Sequence, residues 1–163
     1  MTTQSTIATR LPAFDPANLR AVQTPTQTSA LAKLQHVTPL LGRIGLGGIF
    51  AISALGKLAN FAGTAAFMAS KGFPAASAFL AGAIAFELCG ALALFAGYKA
   101  RWGATLLLAF LIPATLIFHN FWAYTDAEQQ AQLTNFLKNV AIGGGLLTVL
   151  AHGAGPLSID ARK

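Results

Sequence analysis

A single carboxylate, Glu87, lies near the middle of an apolar stretch, residues 76–97, that is long enough to cross a bilayer. Roughly 20 apolar residues span a hydrocarbon core of about 30 Å. A charged side chain at the centre of a membrane costs about 2.5–3.5 kcal/mol on insertion scales. Glu87 is also too short to reach the headgroups from that depth. We therefore expect Glu87 to face the protein interior, either protonated or paired with a cation.

Two cations lie on the preceding apolar stretch, and their spacing puts them on one side of a helix. Arg43 and Lys57 are about four turns apart at 3.6 residues per turn. Arg43 lies one turn inside one end of the stretch, and Lys57 lies near the other end. The same face holds Gly47, Phe50 and Ala54.

Three more polar residues fall in the later apolar stretches. His119 is near the end of the third stretch, and Lys138 and Asn139 are about one turn inside the fourth. Polar groups enclosed in lipid are typical of an ion path, a proton relay or a polar ligand site. The candidate catalytic residues are Glu87 and His119, and the candidate ligand-binding residues are Arg43, Lys57, Lys138 and Asn139.

A simpler interpretation exists for most of these polar side chains. Arg43, Lys57 and Lys138 can extend their long stems toward the headgroups. His119 can bond a backbone carbonyl at the membrane surface. Glu87 has no such alternative, although an internal ion pair explains it as well as proton chemistry does.

The elements that must position these residues are membrane helices. Only 10% of the 163 residues are charged, against about a quarter in a soluble protein, and the mean hydropathy is +0.59. The net charge of +6 comes from basic residues scattered around apolar stretches, without a basic run that would indicate nucleic-acid binding. Composition therefore predicts an integral membrane protein.

Four stretches have the length of a spanning helix: residues 39–59, 76–97, 102–122 and 133–152. Pro39 suits the first position of a helix. Residues 60–74 are shorter and mixed, which indicates an interfacial or re-entrant helix. The sequence thus predicts an all-α, four-helix membrane bundle with a short interfacial helix between spans 1 and 2. Residues 1–36 are expected to form a disordered cytoplasmic tail, and residues 37–160 the membrane domain.

The basic residues also predict the orientation. With the N-terminus in the cytoplasm, the inner segments hold Arg10, Arg20, Lys33, Lys99, Arg101, Arg162 and Lys163. The outer segments hold Lys71 and the acidic pair Asp126 and Glu128. This asymmetry favours both termini on the cytoplasmic side.

No cofactor or metal motif is evident in the sequence. His36, His119 and His152 lie on separate segments without metal-ligand spacing. The single cysteine, Cys89, excludes an internal disulfide and is expected to be a small buried residue. No glycine-rich nucleotide loop follows a strand.

Several of these residues lie in stretches that resemble the DoxX family of small four-span membrane proteins. The resemblance runs from about residue 40 to residue 160. It rests on LLGRIGLGGIF with Arg43, ALGKLANF with Lys57, KGFP, FELCGALALFAGY with Glu87, KARWGA with Arg101, FHNFW with His119, and GAGPLSID with Asp160. Members are described as oxidoreductases or as subunits of quinone-linked membrane redox complexes. The resemblance therefore implies a bacterial inner-membrane bundle with a redox role.

We expect a redox component that binds a quinone headgroup. Glu87 would exchange protons, while Lys57, His119 and Lys138 would stabilise negative charge on a quinone oxygen. Electrons would come from a larger redox subunit, because no cofactor motif is present. Two alternatives remain open: a non-catalytic membrane scaffold or assembly factor that self-associates, whose ion pairs fix helix register, and a small transporter. The sequence leaves open whether the protein is an enzyme.

Overall fold

The computed structural model describes residues 25–162, and the side chains of residues 29–162. Its helices are α1 (Pro25–Ala59), α2 (Phe61–Ser70), α3 (Ala76–Ala96), α4 (Ala100–Phe118) and α5 (Asp126–His152). Short 3-10 turns follow α4 at Phe121–Ala123 and α5 at Asp160–Arg162. The chain divides into two units at Leu34. In the first unit the described residues, 25–34, belong to α1, and the residues of the candidate site lie in the second.

Four of these helices are long and apolar enough to cross a membrane: α1, α3, α4 with the turn that follows it, and α5. Helix α2 is shorter and lies between the first two in sequence. The prediction of an all-α bundle with four spans and a short helix between spans 1 and 2 is therefore confirmed.

Two helix boundaries differ from the predicted ones. Helix α1 begins at Pro25 and contains Pro39 in its interior, so the prediction that Pro39 opens the helix is wrong. Residues 25–36, which the sequence assigned to the tail, are helical; the rest of the predicted tail lies outside the described residues. Helix α5 begins at Asp126 rather than at residue 133. Both helices begin in polar residues, and apolar content marks only the part of a helix that can lie in lipid, so it does not reveal these starts.

Close packing of α3, α4 and α5 forms the centre of the bundle. Small residues make this possible: a Cβ at Gly103 on α4 would lie 2.6 Å from the Ala93 Cβ on α3. At the contact of α5 with α1, a Cβ at Gly145 would lie 3.0 Å from Leu46. Lipid offers no hydrophobic force between helices, so close backbone approach is the main source of packing energy. Cys89 lies at an exposed position on α3, and the prediction that it is buried is wrong.

The buried face of α1 is the predicted one. Arg43, Gly47, Phe50 and Ala54 are buried and Lys57 is half-buried, while the residues between them are largely exposed. The helical repeat therefore predicts the buried face of α1 correctly. The two cations are far apart on this face, because the rise along α1 from Arg43 to Lys57 is about 21 Å at 1.5 Å per residue.

Arg43 binds the C-terminal segment to the bundle. Its side chain is 1% exposed and donates to the carbonyl of Leu94 at 2.8 Å and to the carbonyl of Leu157 at 2.5 Å. Asp160 accepts from the backbone N–H groups of Lys99 and Ala100 at 2.8 and 3.1 Å, which satisfies the start of α4.

Candidate ligand cavity

Lys57 and Glu87 form a partly buried ion pair between α1 and α3. The Lys57 Nζ lies 2.9 Å from each carboxylate oxygen of Glu87. Ser53 is the third member: its hydroxyl donates to Glu87 Oε1 at 2.8 Å and accepts from Lys57 Nζ at 2.5 Å. Ser53 and Lys57 are four residues apart on α1, so they share a face and approach the carboxylate together.

The two charges differ in their exposure. The Glu87 side chain is 1% exposed and that of Lys57 is 24% exposed. Lys57 Nζ also lies 5.5 Å from the ring centroid of Phe110 on α4, within the range of a cation–π interaction. Lys57 is therefore the more accessible member of the pair, whereas Glu87 is almost fully buried.

Beside this pair is a cavity of about 540 Å³. That volume falls in the range of ligand pockets. Its walls come from every helix of the bundle, and six phenylalanines dominate them: Phe50, Phe67, Phe73, Phe79, Phe110 and Phe118. The polar residues on the walls are Ser53, Lys57, Thr64, Glu87, His119 and Asn139.

Rings from α2, α3, α4 and the α2–α3 loop pack against each other on one side of the cavity. Phe73 and Phe118 are stacked at 5.6 Å between centroids, with 8° between their planes. Phe67 lies 6.0 Å from Phe118, and Phe79 lies edge-on to Phe73 at 5.7 Å. The short helix α2 is thereby held over the cavity by aromatic contacts.

A second polar group lies where α4 and α5 meet the cavity. Asn139 Nδ2 donates to the hydroxyl of Thr115 at 3.0 Å, and that hydroxyl donates to the carbonyl of Leu111 at 2.6 Å. His119 Nδ1 lies 2.9 Å from Gln132 Oε1. Both Asn139 and His119 line the cavity.

The structure thus brings together Lys57, Glu87, His119 and Asn139 of the predicted site residues. Arg43 and Lys138 are not among the lining residues. Arg43 lies at the other end of the buried face of α1 from Lys57 and donates to the carbonyl of Leu157 in the C-terminal segment. Lys138 is exposed and bonds the Asn135 side chain one turn away, because its neighbour Asn139 occupies the inward position on α5.

The sequence did not predict Ser53, Thr115 or five of the six phenylalanines as site residues, and it placed the sixth, Phe50, on the face of α1 that holds Arg43 and Lys57. Ser53 could have been found, since it lies one turn before Lys57 on the stripe that holds Arg43 and Lys57. Thr115 follows Leu111 by one turn on α4, but a single threonine in an apolar helix gives no distinct signal. The phenylalanines converge from separate helices, which no local pattern reveals.

Comparisons with known proteins agree with this architecture. The DoxX family model matches residues 38–120, which include Lys57, Glu87 and His119. The chain is 32% identical over 123 residues to the Inner membrane protein YphA of Escherichia coli, covering 76% of this chain and 88% of the relative. It is 31% identical over 130 residues to the Inner membrane protein YqjF of Escherichia coli, covering 80% and 95%.

A more distant relative is the ER-derived vesicles protein ERV29 of Saccharomyces cerevisiae, 30% identical over 80 residues, which is 49% of this chain and 26% of the relative. No solved structure gives a significant match. The family match and the two bacterial relatives leave one assignment: the chain belongs to the DoxX family.

Proposed function

We propose that the protein is a multi-pass inner-membrane component of a redox complex, and that its cavity binds the headgroup of a quinone. The observation that carries this proposal is the Lys57–Glu87–Ser53 cluster on the wall of a phenylalanine-lined cavity. The bacterial relatives named as inner membrane proteins support the location.

The cavity fits such a headgroup in shape and chemistry. Aromatic walls suit a flat ring, which can pack against Phe110 or the Phe73–Phe118 stack through offset or edge contacts. Apolar walls with a few placed polar groups are the usual design of small-molecule sites. An isoprenoid tail can leave the cavity into lipid at little cost, because lipid and tail are equally apolar.

Each polar residue then has a defined task. Lys57 carries only donors. With one ammonium hydrogen shared between the two Glu87 oxygens and one given to Ser53, the third binds a ring oxygen and stabilises negative charge on it. Ser53 and Glu87 hold the ammonium in place by accepting its hydrogen bonds. When bound, the quinone supplies two-electron, two-proton chemistry, with electrons delivered by a partner subunit. Glu87, whose carboxylate accepts from Lys57 and Ser53, is the acid–base group on the cavity wall.

One observation favours a second candidate, a non-catalytic scaffold. Lys57 and Ser53 together supply both carboxylate oxygens with donors. A pair satisfied in this way can fix the register of α1 against α3 without any ligand. In this case the cavity would be a packing defect filled by lipid chains.

Direct binding separates these candidates. Wild-type protein in nanodiscs is titrated with a radiolabelled short-chain quinone. We expect saturable binding that weakens at least tenfold in Lys57→Met. Lys138→Met is the matched control, because it removes a lysine from the same half of the bundle but outside the cavity; it should bind as the wild type does.

Absence of saturable binding to the wild type would remove the quinone proposal and leave the scaffold. Equal binding by wild type and Lys57→Met would show that Lys57 does not hold the headgroup. Melting temperatures of all variants are measured alongside, so that a loss of fold is not mistaken for a loss of contact.

A further inference from the structure

The hydrogen bonds of Asn139 fix which of its amide atoms is available to the cavity. The side chain of Thr115 is buried, and its single hydroxyl hydrogen is directed to the Leu111 carbonyl at 2.6 Å. A hydroxyl that has given its hydrogen can only accept further bonds. The Asn139 group facing it at 3.0 Å must therefore be the NH₂ group.

This assignment leaves the carbonyl oxygen of Asn139 as an acceptor. In the part of the chain that the structure describes, no donor meets Asn139 Oδ1, and the residue is half-buried on the cavity wall. Thr64 contributes a second hydrogen-bond acceptor to the cavity wall. Its hydroxyl donates to the Asn60 carbonyl at 2.8 Å and has only lone pairs left for a ligand.

The cavity is consequently polarised. Near Phe110 the ammonium of Lys57 is the donor, since the Glu87 oxygens beside it already accept from Lys57 and Ser53. Asn139, level with Thr115, offers an acceptor. The rise from Phe110 to Thr115 along α4 is about 7.5 Å at 1.5 Å per residue. Groups placed near these two positions of α4 are within the reach of one six-membered ring that carries an oxygen at each end.

From this polarity we propose that the cavity selects a ring that carries a hydroxyl group, as in the reduced, quinol form, and that the hydroxyl donates to Asn139 Oδ1. The opposite ring oxygen accepts from Lys57. A quinone places a carbonyl where this hydroxyl would be, and two acceptors then face each other without a hydrogen between them. The inference rests on the proposed quinone site and specifies the form of ligand that it prefers.

The test compares a short-chain quinol with the corresponding quinone, which has nearly the same shape. Binding to wild-type protein in nanodiscs is measured anaerobically by competition with the radiolabelled quinone. We expect the quinol to bind at least tenfold more tightly. In Asn139→Leu this preference should disappear, mainly through weaker quinol binding. Asn135→Leu is the matched control, one turn away on α5 and outside the cavity, and it should keep the preference.

Thr115→Val provides a second test that does not remove the ligand contact. Without the Thr115 acceptor, the Asn139 amide is free to turn its NH₂ group into the cavity, and the preference should shift toward the quinone. A structural role for Asn139 would not produce such a shift.

The outcomes are distinct. Tighter quinol binding that depends on Asn139 supports the inference. Equal binding of the two forms by wild type, or an unchanged preference in Asn139→Leu, overturns it and leaves the quinone site standing. If neither form binds the wild type, both the inference and the proposed function fail.

Discussion

The ammonium of Lys57 lies 2.9 Å from both carboxylate oxygens of Glu87, although the two residues are on different helices and 30 positions apart. This contact ties the last turn of α1 to the middle of α3. It also gives the charge of Glu87 a partner at a depth where an unpaired carboxylate would be costly. Much of the behaviour of the protein should depend on which member of the pair is removed.

Removing Lys57 should destabilise the protein more than removing Glu87. Lys57→Met leaves a carboxylate that is 1% exposed without its cation, whereas Glu87→Leu leaves an ammonium that is 24% exposed. Loss of one partner of a buried pair costs about 3–5 kcal/mol, and we expect Lys57→Met to approach that range. Thermal unfolding in detergent measures the order. The double variant Lys57→Met/Glu87→Leu should recover most of the loss, and a double variant no better than Lys57→Met would contradict the argument.

Glu87→Gln should separate chemistry from structure. The amide keeps the size of the carboxylate and can still accept from Lys57, so the helices should remain folded. A neutral amide does not exchange protons, so any quinone-dependent turnover in native membranes should be lost. Glu128→Gln, at the exposed start of α5, is the control for the loss of one acid. A Glu87→Gln variant with full turnover would remove the chemical role of the carboxylate.

Arg43 should control whether the C-terminal segment stays attached. Its guanidinium bonds two carbonyls on different segments, those of Leu94 and Leu157. Arg43→Met should therefore speed cleavage after residue 155 in limited proteolysis. Arg43→Lys should rescue only in part, because an ammonium lacks the planar fork of arginine. Lys99→Met removes an exposed cation from the neighbouring α3–α4 turn and should leave the cleavage rate unchanged.

Asp160 should stabilise the start of α4. Its two oxygens accept from the N–H groups of Lys99 and Ala100, which have no partner within the helix. By analogy with capping residues, Asp160→Ala should cost about 0.5–2 kcal/mol, measured as a lower midpoint of thermal unfolding. Glu128→Ala, at the exposed start of α5, removes one acid without these contacts. An equal effect of both substitutions would argue against a specific role.

The Lys/Arg asymmetry predicts that both termini face the cytoplasm. A reporter fused at Ala127 should report the periplasm, and one fused after Lys163 the cytoplasm. The prediction counts basic residues of the N-terminal tail together with those of the loops, so the fusions test both sets at once. Signals from the same side at both positions would exclude an odd number of spans between Ala127 and the C-terminus.

The sequence alone determined the four spans, the short helix between the first two, the buried face of α1 and the internal position of Glu87. These follow from local rules, because span length, helical repeat and the cost of a charge in lipid are properties of one segment at a time. The same rules could not say which of several cations meets Glu87. Arg43 and Lys57 share a helix face, yet only Lys57 reaches the carboxylate, since about 21 Å of helix separates them.

Tertiary structure also decided the shape and chemistry of the cavity. Lys138 and Asn139 are adjacent in sequence, but helix rotation turns Asn139 inward to Thr115 and Lys138 outward to Asn135. The phenylalanine walls come from separate helices and meet only when the bundle packs. The direction of each hydrogen bond depends on the partner that packing provides. For that reason the acceptor character of Asn139 could not be read from the chain.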